Sequence, residues 1–295
     1  MAEWGGVAGK RVVLTGGTNG IGLAAAIELA RRGAELTLVA RNQAKAAEAV
    51  GRISSASTAG APEVLLADLA SQSSIRQLAR ELLTRYPRIQ VLVNNAGAIY
   101  GRRQVSADGI ELTWAVNHLA PFLLTTLLLE RLKASRPARI VTTSSGAHEG
   151  ARIPFDDLDA ERSWGGAGFT RYGETKLANI LFTAELARRL EGTGVTANAF
   201  HPGFVATGFN RNNGALMSTA MTIIAPFARS PRKAAQTLVW LADSPDVSKH
   251  SGGYYEDRAL AVSSRQAQDP ALARRLWEVS EEQVRPMTAA GAGTR

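Results

Sequence analysis

The sequence predicts an α/β fold in which one doubly wound, mostly parallel sheet of about seven strands has helices on both faces. Short runs rich in β-branched residues alternate with longer segments of helical periodicity, and this alternation favours parallel strands joined by right-handed crossovers. A glycine-rich turn joins the first strand to the first helix, as is typical of a Rossmann-type sheet of strand order 3-2-1-4-5-6-7. Neither a repeat nor a linker divides the chain, which predicts a single domain over residues 1–285.

The periodicity also places the individual elements. Strands are predicted at 11–17, 34–41, 63–69, 89–97, 138–145, 194–200 and around 252–256. Helices are predicted at 21–33, 44–57, 72–86, 108–134, 169–191 and after Pro231. Residues 201–215 are expected to be irregular, and residues 286–295 to form a disordered tail.

Composition excludes several classes of function. The 295 residues contain no cysteine, which removes disulfides, thiolate catalysis and cysteine-ligated zinc. The four histidines are isolated in the sequence, so no metal site is expected. The net charge is +8, but the sequence has no run of five basic residues, and we therefore expect no nucleic-acid partner.

The expected location is the cytoplasm. The amino terminus lacks the basic and apolar regions of a signal peptide, and the apolar stretch from Leu119 is too short and interrupted for a membrane span. No integral membrane segment is therefore predicted. The positive net charge leaves peripheral membrane contact open, and the sequence is also compatible with a homo-oligomer.

The turn from Thr15 to Gly22 has the features of a dinucleotide site. Glycines at 16, 20 and 22 allow a close approach of backbone to phosphate, and the helix that follows offers free N–H groups. The spacing G-x-x-x-G-x-G differs from the common G-x-G-x-x-G pattern. A simple tight turn between strand and helix is the alternative.

The end of the second strand favours NADP over NAD. A carboxylate at this corner would bind the ribose 2′-hydroxyl of NAD, whereas the chain has Arg41 there, which suits a 2′-phosphate. The alternative is a surface arginine that caps a helix. Asp68, at the end of the third strand, could bind the adenine amino group or cap the next helix.

Tyr172 and Lys176 lie four residues apart on a predicted helix and therefore share one face. A nearby ammonium favours a phenolate, as would a positively charged nicotinamide ring above the phenol. Lowering a phenol pKa by about three units requires about 4 kcal/mol, which these two charges could supply, so we expect a lowered pKa for Tyr172. Hydroxyls of Ser144 and Ser145 end the fifth strand, and Asn117 lies within an apolar helix. Taken singly, each feature has a simpler explanation. The Tyr172–Lys176 pair could arise by chance, the two serines could cap a helix or turn, and Asn117 could be structural.

Together these motifs resemble the short-chain dehydrogenase/reductase family over essentially the whole chain. The matching segments are TGGTNGIG at 15–22, NNAG at 94–97, the pair Tyr172 and Lys176, and HPGFVAT at 201–207. The segment between Ser145 and Tyr172 is longer than usual in the family. This insertion, with SSGAH and RLWEVSEE, resembles the retinol-dehydrogenase-like branch. Vertebrate members of that branch commonly have an amino-terminal membrane anchor, and the lack of one here argues against retinoids as substrates.

The resemblance implies the site residues. The catalytic tetrad would be Asn117, Ser145, Tyr172 and Lys176, with Ser145 preferred over Ser144 because the second serine is usually the catalytic one. NADP(H) would contact Gly16, Thr18, Asn19, Gly20, Ile21, Gly22, Arg41, Asp68, Leu69, Asn95, Ala96, Gly97, Tyr172, Lys176, Pro202, Gly203, Val205 and Thr207.

The implied activity is NADP(H)-dependent interconversion of a carbonyl and an alcohol, with Tyr172 as general acid and base. Ser145 would position the reacting oxygen, and Asn117 would anchor a water. The chain lacks the G-x-S-x-G turn of a serine hydrolase, which argues against that class. A non-catalytic NADP(H)-binding regulator remains the alternative.

The substrate is expected to be a lipophilic small molecule. In the family a lid, here at about 203–230, covers the substrate, and its residues 215–228 carry no charge. The predicted substrate wall consists of Ser145, Tyr172, Met217, Met221, Ile224 and Phe227. Alternatives for this segment are packing on the core, a subunit interface or contact with a membrane surface.

Overall fold

One eight-stranded sheet organises the protein, whose computed structural model describes residues 3–205 and 229–286. The strand order is β3-β2-β1-β4-β5-β6-β7-β8, which confirms the predicted doubly wound sheet and adds one short strand. The strands are β1 (Arg11–Thr15), β2 (Glu35–Ala40), β3 (Glu63–Leu66), β4 (Val91–Asn94), β5 (Ala138–Thr143), β6 (Val195–Phe200), β7 (Tyr254–Glu256) and β8 (Ala259–Leu260). All neighbours pair in parallel except β7 and β8, which are antiparallel.

Helices cover both faces of the sheet. Their bounds are α1 (Gly20–Arg31), α2 (Gln43–Ser54), α3 (Gln72–Arg85), α4 (Leu112–Ala134), α5 (Phe169–Arg189), α6 (Pro231–Asp243) and α7 (Pro270–Gln283). Helices α1, α2 and α6 pack on one face, and α3, α4, α5 and α7 on the other. The sequence of strand β1 is continuously apolar because both of its faces are buried. Val12 and Leu14 face the layer of α1, α2 and α6, and Val13 faces the opposite layer of helices.

Helix α4 combines two helical geometries. Ala115–Leu119 forms a π-helix, and Ala120–Ala134 continues as an α-helix. By length and hydropathy Leu112–Ala134 could cross a membrane, and it is the one such helix among the described residues. However, 67% of its apolar window is buried inside the protein, as in the core helix of an α/β domain.

Several predicted strands end earlier than expected. The predicted strands at 89–97 and 138–145 end at Asn94 and Thr143, so the residues that follow are loops at the carboxyl edge of the sheet. Because parallel strands present these ends along one edge, the loops after β1, β4 and β5 meet there.

Helix α7 was not predicted, although its start carries a clear signal. Asp269 accepts a hydrogen bond from the Ala271 amide at 2.8 Å, and Pro270 occupies the first helical turn. Leu276 and Trp277 then join the core beside α5. Residues 206–228 of the predicted lid and residues 287–295 of the predicted tail lie outside the described part of the chain.

Candidate active site

The carboxyl ends of β1 and β4 are joined through the Thr15 hydroxyl. This oxygen donates to the Val93 carbonyl at 3.2 Å and accepts from the amides of Asn95 and Ala96 at 3.0 and 3.1 Å. The Asn95 side chain donates to the carbonyl oxygen of Gly16 at 3.2 Å. The NNAG segment and the glycine turn are thus one hydrogen-bonded unit.

Two glycines of the turn are required by the close packing. Gly16 has φ +71°, and a Cβ there would lie 2.8 Å from the Ala96 Cα. A Cβ on Gly22 would overlap the Gly16 carbonyl oxygen and lie 2.5 Å from Asn95 Nδ2. Any larger residue would separate the turn from β4.

The first turn of α1 fits a phosphate group. Asn19 precedes α1 but makes no side-chain cap, whereas Asn42 and Ser71 accept from the backbone at the starts of α2 and α3. The amides at Gly20 and Ile21 therefore lack a capping side chain, at the end of the helix that carries partial positive charge. Thr18 and Asn19 flank this turn, and both are accessible. These groups could hold the pyrophosphate of a dinucleotide.

Arg41 lies at the adenosine end predicted for such a cofactor. It is exposed directly after β2, and its guanidinium is close enough to the Tyr100 phenol to lower the pKa of that phenol. Burial raises the pKa of Tyr100, and Arg41 opposes this rise. Asp68 is exposed and accepts from the Ala70 amide at 3.0 Å, with Leu69 half-buried between them. Tyr100 is a neighbour of Arg41 that the sequence did not reveal.

At the other end, the Ser145 side chain lies beside the Tyr172 phenol and lowers its pKa. Ser145 follows β5 and its Oγ also accepts from the Ala147 amide at 3.2 Å. Tyr172 lies in the first turn of α5. Gly173 permits this approach, since a Cβ there would lie 2.6 Å from the Ala147 carbonyl oxygen.

The two serines after β5 have different surroundings. Ser144 is 1% exposed and donates to the Lys176 carbonyl oxygen at 2.7 Å. Ser145 is only half-buried and meets Tyr172. The Ser144 hydroxyl is thus occupied by the backbone, whereas the choice of Ser145 as the residue that contacts a substrate stays a prediction.

Lys176 is buried beneath Tyr172. Its Nζ lies 5.2 Å from the centroid of the Tyr172 ring and donates to the Thr143 carbonyl oxygen at 3.2 Å. Burial lowers the pKa of Lys176 to about 8. Gly97 is close to the ammonium, since a Cβ there would lie 3.5 Å from it.

In the protein alone the pKa of Tyr172 is raised, so the lysine by itself does not lower it, and the joint effect of lysine and nicotinamide stays a prediction. Burial raises this pKa to about 12, and the neighbouring Ser145 side chain offsets only part of the rise. The cost of burying a phenolate outweighs the effect of the lysine beneath the ring. The phenol is therefore fully protonated at neutral pH and ready to act as an acid.

Asn117 is held by the protein itself. Its Oδ1 accepts from the Ala98 amide at 2.8 Å, and its Nδ2 donates to the Ala98 carbonyl at 2.8 Å and to Thr175 Oγ1 at 3.2 Å. Both side-chain N–H groups are thus used, and the asparagine ties α4 to the loop after β4 and to α5. Its position in the π-helix agrees with the frequent occurrence of such segments at functional sites. A water-anchoring role remains a prediction.

The segment after β6 borders the site from a further side. Pro202 and Gly203 are buried, and Gly203 has φ +79° with Arg229 packed against it. The Arg229 amide donates to the Phe204 carbonyl at 2.8 Å, which joins the two described ends of the lid. Val205 is half-buried. The predicted residues Thr207, Met217, Met221, Ile224 and Phe227 lie outside the described part of the chain.

A buried ion network anchors the insertion before α5. Arg171 is 1% exposed and donates to Glu111 at 2.8 Å, to Glu174 at 2.9 Å and to the Leu158 carbonyl oxygen. Its guanidinium also lies over the Trp114 ring at 4.6 Å. The insertion, α4 and the first turn of α5 therefore meet at the residue next to Tyr172. Arg171 and Glu174 are three residues apart on α5, but the contacts of Arg171 with Glu111 and Leu158 join distant parts of the chain and could not be predicted.

Residues 3–205 and 229–286 contain no group of three or more histidine or acidic side chains that could hold a metal ion. The site is thus built from a glycine turn at a helix start and from a Ser–Tyr–Lys arrangement at the same edge of a parallel sheet.

Comparison with known proteins agrees with this architecture. A family model for short chain dehydrogenases matches residues 10–155. The chain belongs to the short-chain dehydrogenase/reductase family and resembles its retinol dehydrogenases. Retinol dehydrogenase 14 of Mus musculus is 42% identical over 289 residues, with 94% of this chain and 86% of that protein covered.

A bacterial relative and a solved structure are also similar to this chain. DnrU of Streptomyces sp. (strain C5), provisionally assigned as a daunorubicin C-13 ketoreductase, is 43% identical over 281 residues, covering 95% of this chain and 94% of that protein. The crystal structure of a short chain dehydrogenase from Burkholderia cenocepacia J2315 in complex with NADP has a TM-score of 0.66 and 26% identity, covering 84% of this chain and 96% of that one.

Proposed function

We propose that the protein is an NADP(H)-dependent oxidoreductase that interconverts a ketone or aldehyde and the corresponding alcohol on a lipophilic small molecule. Membership of the family supports carbonyl–alcohol chemistry in general. The observation that carries the specific proposal is the position of the Lys176 ammonium 5.2 Å from the centroid of the Tyr172 ring, with the Ser145 side chain beside the same phenol.

The choice of NADP(H) rests on Arg41. No acidic residue ends β2, and the exposed guanidinium could bind a 2′-phosphate through charge-assisted hydrogen bonds. The NADP complex of the Burkholderia protein supports this choice. The bound cofactor would supply the hydride, and the side chains of this chain would supply orientation and the proton.

Tyr172 is proposed to donate its phenolic proton to the carbonyl oxygen during reduction and to take it back during oxidation. Ser145 donates a hydrogen bond to the same oxygen and stabilises the charge that develops there. Lys176, with its pKa of about 8, is largely protonated at neutral pH, so its ammonium opposes the cost of forming a buried phenolate.

The lipophilic character of the substrate is supported by two exposed aromatic side chains. Phe169 is 47% exposed and lies one helical turn before Tyr172, and Phe204 is 48% exposed beside Gly203. The retinol and daunorubicin in the names of the relatives are apolar or polycyclic molecules. The uncharged sequence at 215–228 points in the same direction.

The test is NADPH oxidation by the purified protein with ketones and aldehydes of increasing chain length. The proposal expects turnover, with kcat/KM rising along the series by at most about 0.8 kcal/mol per methylene. A non-catalytic NADP(H)-binding regulator would bind NADPH without turnover of any carbonyl. A flat series, or a preference for small charged substrates, would remove the lipophilic substrate from the proposal.

A further inference from the structure

Two histidines hold the peptide group that follows Ser145. The carbonyl oxygen of this peptide, on Ser145, lies 2.8 Å from His148 Nδ1. Its N–H group, on Gly146, donates to His201 Nδ1 at 3.1 Å. Both ends of one peptide unit thus have an imidazole partner, immediately after the serine that meets Tyr172.

The contacts of His148 fix its tautomer. Because the Ser145 carbonyl can only accept, Nδ1 of His148 must carry a proton. The Ser264 amide donates to Nε2 of the same ring at 3.1 Å, so Nε2 must be unprotonated. The ring is fully buried and packs against Tyr254 with centroids 5.0 Å apart. His148 is therefore a neutral bridge between the serine turn and the segment after β8.

His201 has the opposite tautomer. Its Nδ1 accepts from Gly146, so in the neutral ring the proton is on Nε2, which lies 3.9 Å from Glu256. Burial lowers the pKa of His201; Arg229 and His148 act in the same direction, whereas Glu256 and Glu149 oppose it. A Cβ on Gly146 would lie 3.3 Å from the His201 ring, so the glycine lets the ring pack directly on the peptide.

We propose that His148 and His201 are positioning residues that clamp the Ser145–Gly146 peptide and thereby set the direction of the Ser145 hydroxyl toward Tyr172 and the reacting oxygen. The orientation of this peptide is coupled to the backbone of Ser145, which is extended with φ −163° and ψ 155°. Its rotation would move the Ala147 amide that donates to Ser145 Oγ at 3.2 Å. Neither histidine touches the hydroxyl, so each acts through the backbone.

The clamp also connects the site to the edge of the sheet formed by β6, β7 and β8. His201 follows β6 and its amide donates to the Tyr255 carbonyl in β7 at 2.8 Å, while His148 reaches Ser264 beyond β8. The serine turn is thus fixed to three elements besides β5. A displacement of about 1 Å at a catalytic group can reduce a rate about a hundredfold, which makes such fixing consequential.

The first test is independent of activity. The chain has four histidines, which makes assignment of their imidazole nitrogens by long-range ¹H–¹⁵N NMR practicable. If the clamp is correct, we expect the Nδ1–H tautomer for His148 and the Nε2–H tautomer for His201 at neutral pH. The opposite tautomer at either position, or a charged ring, would overturn the clamp.

The second test uses matched variants and rests on the proposed function. His148→Leu and His201→Leu remove the bonds to the peptide, and kcat for carbonyl reduction should fall about tenfold to a hundredfold while the Kd for NADPH stays within about twofold. His148→Asn and His201→Asn retain an amide donor or a carbonyl acceptor near the position of Nδ1, so each should recover most of the lost kcat. The exposed His250→Leu serves as the matched control.

The outcomes separate the two proposals. Leucine variants with kcat within about twofold of wild type, or asparagine variants as impaired as the leucine ones, would overturn the clamp while the proposed function stands. If a leucine variant does not fold, the asparagine variant and the tautomers still decide. A wild type without turnover would overturn the proposed function, and the tautomers would then test the clamp alone.

Discussion

The Ser144 hydroxyl donates to the main-chain carbonyl oxygen of Lys176 at 2.7 Å, so the serine next to the proposed catalytic one is a tie between β5 and α5. We therefore propose separate roles for the adjacent serines: Ser144 supports the fold, and Ser145 contacts the reacting oxygen. This division can be tested with a pair of equally small substitutions.

Ser144→Ala should reduce the free energy of unfolding by about 1 kcal/mol, since it removes one buried hydrogen bond. Ser145→Ala removes only the exposed bond from the Ala147 amide and should cost no more stability than Ser144→Ala. It should lower kcat about a hundredfold to a thousandfold, as does loss of a donor to a developing oxyanion. Urea unfolding and steady-state kinetics on both variants measure the two effects. Loss of kcat in Ser144→Ala with normal kcat in Ser145→Ala would reverse the assignment.

Arg41→Ala should weaken NADP binding about tenfold to a hundredfold and leave NAD binding almost unchanged. A hydrogen bond to a charged group contributes about 1.5–3 kcal/mol, and only NADP carries the 2′-phosphate. The measurement is a fluorescence titration with both cofactors, and Arg52→Ala, an exposed arginine of α2, is the charge-matched control. An equal loss for both cofactors would contradict the role of Arg41.

Acid should destabilise the fold through His118. This ring is fully buried and donates to Ser280 Oγ at 2.8 Å, and burial lowers its pKa from 6.5 to about 3. Below pH 6.5 the unfolded chain therefore binds a proton that the folded chain does not, so stability falls as pH falls toward 3.

The loss from this residue between about pH 7 and about pH 5 should be about 2 kcal/mol. His118→Phe suits the surrounding rings of Trp114, Phe122 and Phe182 and removes the titration. Urea unfolding at the two pH values should show a smaller acid loss in this variant than in wild type. Parallel acid losses in both proteins would show that His118 is not responsible.

Arg171→Met should destabilise the protein by about 3–5 kcal/mol, because it leaves the buried carboxylate of Glu111 without its partner. Arg162→Met removes a similar ion pair with Asp156 at the surface, where the side chains are 68% and 85% exposed, and should cost less than about 1 kcal/mol. Chemical unfolding of both variants gives the comparison. Similar values would mean that the buried network does not stabilise the insertion.

The sequence predicted what depends on local pattern. Strands β1 to β6 are short runs rich in apolar residues that alternate with helical periods, so their order and their carboxyl-edge loops could be inferred. Helix α7 was missed although Asp269 and Pro270 mark its start, and the two residues of β8 are too few to form a pattern.

What depends on burial or on distant contacts could not be predicted. The raised pKa of Tyr172 arises from desolvation, which appears only when the surrounding elements are in place. The pairing of Arg41 with Tyr100 joins two loops, and Asn117 finds its partners in the loop after β4 and in α5. Contacts between distant segments leave no regular spacing in the sequence from which they could be predicted.

The most direct test of the account is the turnover of Tyr172→Phe, a change that removes the phenolic proton donor and almost no volume. Calorimetry should show NADPH affinity within about threefold of wild type, while single-turnover carbonyl reduction falls about a thousandfold or more. A Tyr172→Phe protein that reduces a carbonyl substrate at a rate close to wild type would contradict the central claim that this tyrosine moves the proton.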